Sequence, residues 1–437
     1  MKVALVCDWL TNVGGAEKVL LEMHKLFPKA PIYTSKYSPK GIDWFKDAEV
    51  KTGWLQIFPV FMRRILGPLR QSYFSHLDLS DYDLIISVTG AEAKAVKSGK
   101  WLHEKGVKNV KCPNGLHISF CHVPTQYYWE MYDTYVKNPG FGILNPVVRV
   151  CFKALVKPLR KADLKAAKRP DYYITISEYA KEQIQKYYDR EATVIHPPVE
   201  IAEFRRQLSN ISRGRGRSGP SSRAERPSYL DPIGSSAGRR FNTKNKFFVF
   251  SAPSAIGRDL RKPLDIIAQL PSDYYIITSR QVNWKRIDLA IKACLKLGRK
   301  LLVVGEGPEH KKLVKMAGNS DLIEFVPLVE KSELAGLLAG AKGYLFPSKE
   351  PFGIAPVEAL AAGCPVIAYG EGGALDYVSE GKNGVLFEKQ TVKSLVNAIE
   401  RFEKLNFDRE KISKTAEGFE TERFDREIKE FVNEKTK

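Results

Sequence analysis

The sequence predicts an α/β protein built as two similar halves, each a parallel sheet covered by helices. Three observations carry that expectation. Short apolar runs alternate with helical patterns along the chain, as parallel strands joined by crossover helices require. The length, 437 residues at 43% hydrophobic content, suits two or three domains rather than one. Third, the stretch from Phe346 to Ala368, FPSKEPFGIAPVEALAAGCPVIA, lies between two apolar runs and reads as strand, loop, helix, strand.

In that stretch Glu350 and Glu358 flank Pro351, Phe352, Gly353 and Ile354. Gly353 permits a tight backbone path where a strand hands over to a helix. The first amides of that helix lack intrahelical partners and point outward as an anion site that fits a phosphate. Glu358 falls within the same helix, about a turn beyond the amides, where a carboxylate can accept hydrogen bonds from sugar hydroxyls. Glu350 sits on the loop at the strand end, where α/β sheets collect their ligands. An isolated pair of glutamates beside a turn would be an ordinary solvated surface. Here the spacing Glu, seven residues, Glu, with Phe-Gly inside and Ala-x-Gly-x-Pro-Val-Ile after it, closely resembles the signature of the retaining GT-B glycosyltransferases. That family includes glycogen synthases and many bacterial mannosyl- and glucosyltransferases. The resemblance implies two Rossmann-like domains facing across a cleft and transfer of a sugar from a nucleotide-sugar.

Composition narrows the remaining classes. No apolar run reaches 18 residues, and the chain opens directly on the strand-like KVALVC without a basic leader and cleavage site. A soluble, cytoplasmic protein is the expectation. The cysteines Cys7, Cys112, Cys121, Cys151, Cys294 and Cys364 are scattered, with no C-x-x-C pair and no cluster at metal spacing, so reduced thiols and no metal site are expected. The net charge of +19 is unevenly spread: residues 205–246 hold eleven Lys/Arg against two acids.

Taken in order, KVALVCDWL is the first strand, and Gly14 and Gly15 open the helix that follows it. A glycine pair lets backbone approach a ligand, although it is more often only a turn. The resemblance places this Gly-Gly-Ala-Glu loop in the cleft near the donor phosphate and the acceptor. Trp54 to Phe74 interleaves apolar residues with Arg63, Arg64 and Arg70, a pattern that fits either a surface lying on anionic lipid or a helix packed on its own domain. DYDLIISVT is a buried strand, and Asp81 and Asp83 ahead of it read as capping or solvated groups rather than metal ligands.

HISFC is a further strand with His122 at its end, facing the ligand crevice. Cys121, His122, Pro124, Tyr127 and Trp129 resemble the Cys-His-x-Pro-x-x-Tyr-x-Trp pattern of mannosyltransferase-like members, whose histidine lies near the transferred sugar; Gln126 stands where an arginine is common. Residues 144–169 form a second basic helical stretch interrupted by Pro158, again with membrane contact and a solvated face as competing readings. DYYITIS, the helix EYAKEQIQKYY and TVIHPPVE complete a first domain over 1–200, and His196-Pro197-Pro198-Val199 resembles the family's exit into the hinge.

Residues 201–270 depart from the family pattern and read as a hinge insertion, with 205–246, rich in Ser, Gly, Pro and Arg, expected to be disordered. Arg-Gly repeats can bind RNA, but a flexible insertion is the simpler reading. The nearby FFVFSAPSAIGRD superficially suggests a phosphate-binding P-loop, yet Ala252 replaces the first glycine and Arg258-Asp259 the Lys-Ser/Thr, so nucleotide binding there is rejected. The second domain, 271–415, opens with a strand delivering Arg280, with Lys285 five residues on; two cations at that spacing can reach one diphosphate. The resemblance is to the family's Arg-x4-Lys element, which neutralises the leaving nucleoside diphosphate. A strand ending at Gly305 follows, then a loop carrying Val329 that resembles the base-binding edge. By resemblance, the last helix, within 416–437, crosses back onto the first domain.

The expectation is a metal-independent, retaining hexosyltransferase without a cofactor. Its donor is GDP-mannose by preference or a UDP-sugar, and its acceptor a glycan or lipid-linked hydroxyl in cell-surface polysaccharide or glycolipid synthesis. Contact with an anionic membrane at the inner face of the cell membrane accompanies that reading; nucleic acid is not an expected partner. His122, Arg280, Lys285 and Glu350 are the catalytic candidates. Gly14, Gly15, Gly305, Val329, Phe352, Gly353, Ile354 and Glu358 are the donor-binding ones. No nucleophile stands out, so stabilisation of the leaving group is the main catalytic effect. The rivals are a nucleotide-sugar epimerase or a phosphorylase on the same scaffold, and an RNA-binding protein acting through the Arg-Gly segment.

Overall fold

The computed structural model describes residues 1–60, 62, 66–137, 139, 142, 145–215 and 273–437. The first domain contains strands β1 (Val3–Cys7), β2 (Ile32–Thr34), β3 (Val50–Thr52), β4 (Leu84–Thr89), β5 (Leu116–Cys121), β6 (Tyr172–Thr175) and β7 (Thr193–Val194). Its helices are α1 (Gly15–Leu26), α2 (Gly67–His76), α3 (Gly99–Glu104), α4 (Tyr132–Lys137), α5 (Asn145–Ala167), α6 (Glu178–Tyr188) and α7 (Ala202–Arg215). The second domain contains β8 (Tyr274–Thr278), β9 (Lys300–Val304), β10 (Ile323–Val326), β11 (Gly343–Phe346), β12 (Val366–Tyr369) and β13 (Gly384–Phe387). Around them run α8 (Ile287–Leu297), α9 (His310–Ala317), α10 (Lys331–Gly340), α11 (Ile354–Ala361), α12 (Val392–Phe402), α13 (Arg409–Thr415) and α14 (Thr421–Lys435).

Each domain is a parallel sheet of the doubly wound kind, ordered β3-β2-β1-β4-β5-β6-β7 and β10-β9-β8-β11-β12-β13. The central strands are mostly apolar and buried because helices cover both faces; all six residues of β4, LIISVT, are buried. In both sheets the chain first winds outward on one side and then returns to the other. The reversals fall between β1 and β4 and between β8 and β11, where crevices open at the strands' carboxyl ends.

The domains share a continuous apolar core. Helix α14 returns to the first domain, where Phe424 packs edge-on to Phe120 at 5.9 Å and Phe431 to Tyr172 at 6.3 Å. Arg423 Nη2 donates to the His196 carbonyl at 2.6 Å.

Four details differ from the sequence-based expectation. Strands β2 and β3, three residues each, carry too little apolar pattern to stand out. Pro158 lies within the continuous helix α5. Arg70 is buried and ion-paired with Glu92 (3.0 Å), so it contributes no surface charge to the 54–74 segment; Arg63 and Arg64 lie outside the described residues. The segment expected to be disordered from residue 205 begins instead within α7, because Phe204 and Leu208, four positions apart, bury one face of that helix. The remainder of the 201–270 insertion, with its Arg-Gly repeats and P-loop-like run, falls outside the described residues beyond 215.

Candidate active site

The second-domain half of the site forms where β8 and β11 end side by side. Lys285 closes a short 3-10 turn, and its Nζ lies 2.5 Å from Glu350 Oε2, while Glu350 Oε1 accepts the Ser348 hydroxyl at 2.7 Å. Beside this pair is a small cavity of about 40 Å³ lined by Thr278, Ser279, Lys285, Tyr344, Glu350 and Ile354 among others.

Backbone geometry explains the loop between Glu350 and α11. Gly353 precedes the helix at φ +95°, and a Cβ there would sit 2.6 Å from the Phe346 ring and 2.9 Å from the Tyr377 hydroxyl. Only glycine fits, and its path frees the first amides of α11 toward the pocket. Gly305, at φ +117°, is needed for close approach: a Cβ would lie 2.4 Å from the Ser279 carbonyl, which forms the pocket wall. Arg280 is exposed at the same strand end and makes no ion pair among the described residues. Val329 is half-buried against the core at the end of β10 and does not line the pocket. The Phe352 ring is also elsewhere. It is buried in an aromatic cluster, 5.7 Å from His196 and near Tyr377 and Phe419, so the expectation of a donor-facing side chain is corrected.

The first domain supplies the opposite wall. A Cβ on Gly15 would come within 3.3 Å of Ile354 Cδ1, so the start of α1 closely faces the start of α11. Gly14 has an extended backbone, φ −162°, and a Cβ there would lie 2.7 Å from the carboxylate of the buried Glu17. Lys18 Nζ reaches across to 3.7 Å from Glu358 Oε1. Burial raises the Glu358 carboxyl above its usual range, opposed by the charges of Lys18 and Lys331.

His122 Nδ1 lies 3.1 Å from the Thr89 carbonyl, which can only accept, so that nitrogen carries the proton. Burial lowers the imidazole pKa and favours the neutral ring. Nε2 is then a buried acceptor, without a partner among the described residues. The loop that holds His122 is tied by Asp8, whose carboxylate accepts from the Thr89 hydroxyl at 2.9 Å and from the amides of Gly90 (3.0 Å) and Ala93 (2.8 Å). Sequence reasoning missed Asp8, although its place just beyond β1 was a usable signal. It also missed Lys18, Ser177 and Asp376, which bear on the cleft only after folding.

The structure therefore brings Lys285, Glu350, Gly353 and Ile354 into one pocket and sets Gly15 against it, while Glu358 pairs with Lys18 outside the pocket lining. Two Rossmann-like domains with their strand ends facing across a cleft define the GT-B fold. Residues 267–419 match the model described as "Glycosyl transferases group 1". HepE of Anabaena, solved in complex with UDP, shares the fold at TM-score 0.60 and 17% identity, over 99% of this chain and 100% of that one. Sucrose-phosphate synthase from Thermosynechococcus elongatus does so at TM-score 0.60 and 16% identity, over 99% of each. Alpha-1,3/1,6-mannosyltransferase ALG2 of Homo sapiens is 32% identical over 124 residues, 28% of this chain and 29% of that protein. Glycogen synthase of Thermus thermophilus is 32% identical over 128 residues, 28% of this chain and 29% of that one. The aligned region thus spans less than a third of either curated relative.

Proposed function

We propose that the protein is a retaining glycosyltransferase that moves a sugar, mannose by preference, from a nucleotide-sugar to an acceptor hydroxyl on a glycan or lipid-linked glycan. The observation that carries this reading is the Lys285–Glu350 pair at the mouth of α11, set at the second sheet's point of reversal. Arg280, Lys285 and the first amides of α11 stabilise the diphosphate as the bond to the sugar breaks, and this electrostatic contribution is the main source of rate. Lys285 exchanges part of its contact with Glu350 for the diphosphate. Glu350 then binds sugar hydroxyls, Glu358 the ribose, and His122 Nε2 accepts a hydrogen bond from the sugar. The mannosyltransferase relative supports mannose as the sugar, with GDP-mannose the preferred donor, and the neighbours solved with UDP and UDP-glucose support a UDP-sugar as second choice.

The reading places the enzyme in cell-surface polysaccharide or glycolipid synthesis on the cytoplasmic side. No described helix is long and apolar enough to cross a membrane. A peripheral contact would use the solvent face of α5, where exposed Val147 and Val150 precede exposed Lys157, Lys161 and Lys165. The test incubates purified protein with GDP-mannose or UDP-glucose and acceptor glycans, and follows the new anomeric signal by NMR. A product with the donor's anomeric configuration is expected. Inversion would refute retention, and conversion of the donor without an acceptor would favour an epimerase.

A further inference from the structure

The donor loop is held from both sides, and the two sides belong to different domains. From its own domain, the Gly373 amide donates to the Glu350 carbonyl at 2.8 Å, and position 372, at φ +83°, admits only glycine because a Cβ would lie 2.5 Å from that carbonyl. The next carbonyl, that of Pro351, accepts the hydroxyl of Ser177, which stands between β6 and α6 in the first domain. Ser177 is fully buried and caps α6: its Oγ accepts the Ala180 amide at 3.0 Å, leaving the hydroxyl proton for Pro351.

The residues on either side of Ser177 extend the contact. The Glu178 amide, one of the free donors at the start of α6, donates to Asp376 Oδ2 at 3.0 Å, placing a carboxylate of the second domain at a helix N-terminus of the first. The Ile176 carbonyl accepts His196 Nδ1 at 3.0 Å. That imidazole lies 3.6 Å from Asp376 and stacks on Phe352, the second residue after Glu350, at an interplanar angle of 29°. The Phe352 carbonyl in turn accepts the Tyr377 hydroxyl at 2.7 Å. Residues 176–178 therefore touch the donor loop or its immediate supports at every position.

We propose that Ser177 and Asp376 are positioning residues that latch the acceptor-side domain onto the donor loop and so fix where Glu350 and Lys285 stand relative to Gly15 and His122. A hydroxyl-to-carbonyl bond has a reach of about 3 Å, so a separation of the domains by even a few ångströms breaks it. Glu350 is one residue from the latched carbonyl, and its carboxylate holds Lys285. Domain closure is thereby felt at the diphosphate cation through the loop backbone, separately from the contact of His122 with the sugar. As far as it concerns transfer chemistry, the latch rests on the glycosyltransferase reading; as a restraint on the loop it does not.

The experiment uses the full chain carrying Ser177→Ala, Ser177→Thr or Asp376→Asn. Hydrogen exchange is read at the amides of residues 350 and 352–354, UDP and GDP affinities by calorimetry, and kcat with a nucleotide-sugar and acceptor. In Ser177→Ala, exchange at these amides is expected to rise at least tenfold and kcat to fall at least tenfold, with nucleotide affinity changed less than twofold. Ser177→Thr, which keeps the hydroxyl, restores both, and Asp376→Asn shifts both in the same direction as Ser177→Ala. A merely structural role would lower stability without separating kcat from nucleotide binding. Wild-type exchange and wild-type kcat in Ser177→Ala would overturn the latch. Faster exchange in a protein whose wild type transfers no sugar would uphold the latch and defeat the glycosyltransferase reading instead.

Discussion

Replacing Gly353 with alanine tests the geometry on which the donor pocket depends. Two costs can be read from the structure. The backbone at φ +95° disfavours any residue with a Cβ, at roughly 1–3 kcal/mol. The new methyl would also lie 2.6 Å from the Phe346 ring and 2.9 Å from the Tyr377 hydroxyl; both side chains are buried and cannot swing aside, which adds roughly 1–3 kcal/mol of overpacking. Gly381 is a matched control. It is also left-handed, φ +73°, but a Cβ there meets nothing within 4 Å, so Gly381→Ala carries only the backbone cost of about 1–2 kcal/mol. At roughly 2–4 °C per kcal/mol, Gly353→Ala should melt about 4–24 °C below wild type, and well below the control. Scanning calorimetry measures both variants, and calorimetric titration with UDP or GDP should show weaker binding only for Gly353→Ala. Equal melting temperatures for the two would refute the packing account of this loop.

Lys285→Gln removes the cation that holds Glu350 and faces the diphosphate; kcat is expected to fall by on the order of 100- to 1,000-fold in a transfer assay while the fold persists by circular dichroism. Glu403 is held down to about 2, chiefly by hydrogen bonds from Arg299 at 2.8 Å, with help from Lys342 and Tyr275. Its folded pKa is below the unfolded value near 4.3, so the stabilisation is present above that pH and is lost as pH falls toward 2. Glu403→Gln should therefore cost on the order of 1 kcal/mol at neutral pH, after solvent screening, and the deficit should vanish in melts between pH 4.5 and pH 2. Asp8→Ala strips the buried amides of Gly90 and Ala93 of their acceptor and should destabilise the protein by roughly 2–4 kcal/mol in denaturant titration.

The strand-loop-helix-strand unit around Gly353 was legible because its signals are local: apolar runs of strand length, a glycine where a positive φ is required, and a helix-forming run after it. The strands leading to Arg280 and Gly305 were legible for the same reason. What escaped depends on partners distant in sequence. Phe352 is adjacent to the glycine and suggested a donor contact, but its ring packs on His196, which only the folded hinge brings near. Ser177 and Asp376 belong to no recognisable pattern; their meaning lies in meeting Pro351 and Glu178 across the cleft. The basic stretch after residue 200 hid an ordinary amphipathic helix, since two apolar residues four apart suffice once α10 and α11 offer a surface. Buried charges such as Arg70 looked like surface charge until Glu92 and Tyr127 were seen to accept them.

The central claim is that the cleft binds a nucleotide-sugar through Lys285, Glu350, Glu358 and the start of α11. It is tested most directly by thermal melts of the wild-type protein with GDP-mannose, UDP-glucose and other nucleotide-sugars. A ligand present at 100 times its Kd adds about 2.7 kcal/mol to the folded state. The account predicts that at least one nucleotide-sugar raises the melting temperature by several degrees and that Lys285→Gln abolishes most of that rise. Unchanged melting curves with every nucleotide-sugar would contradict it.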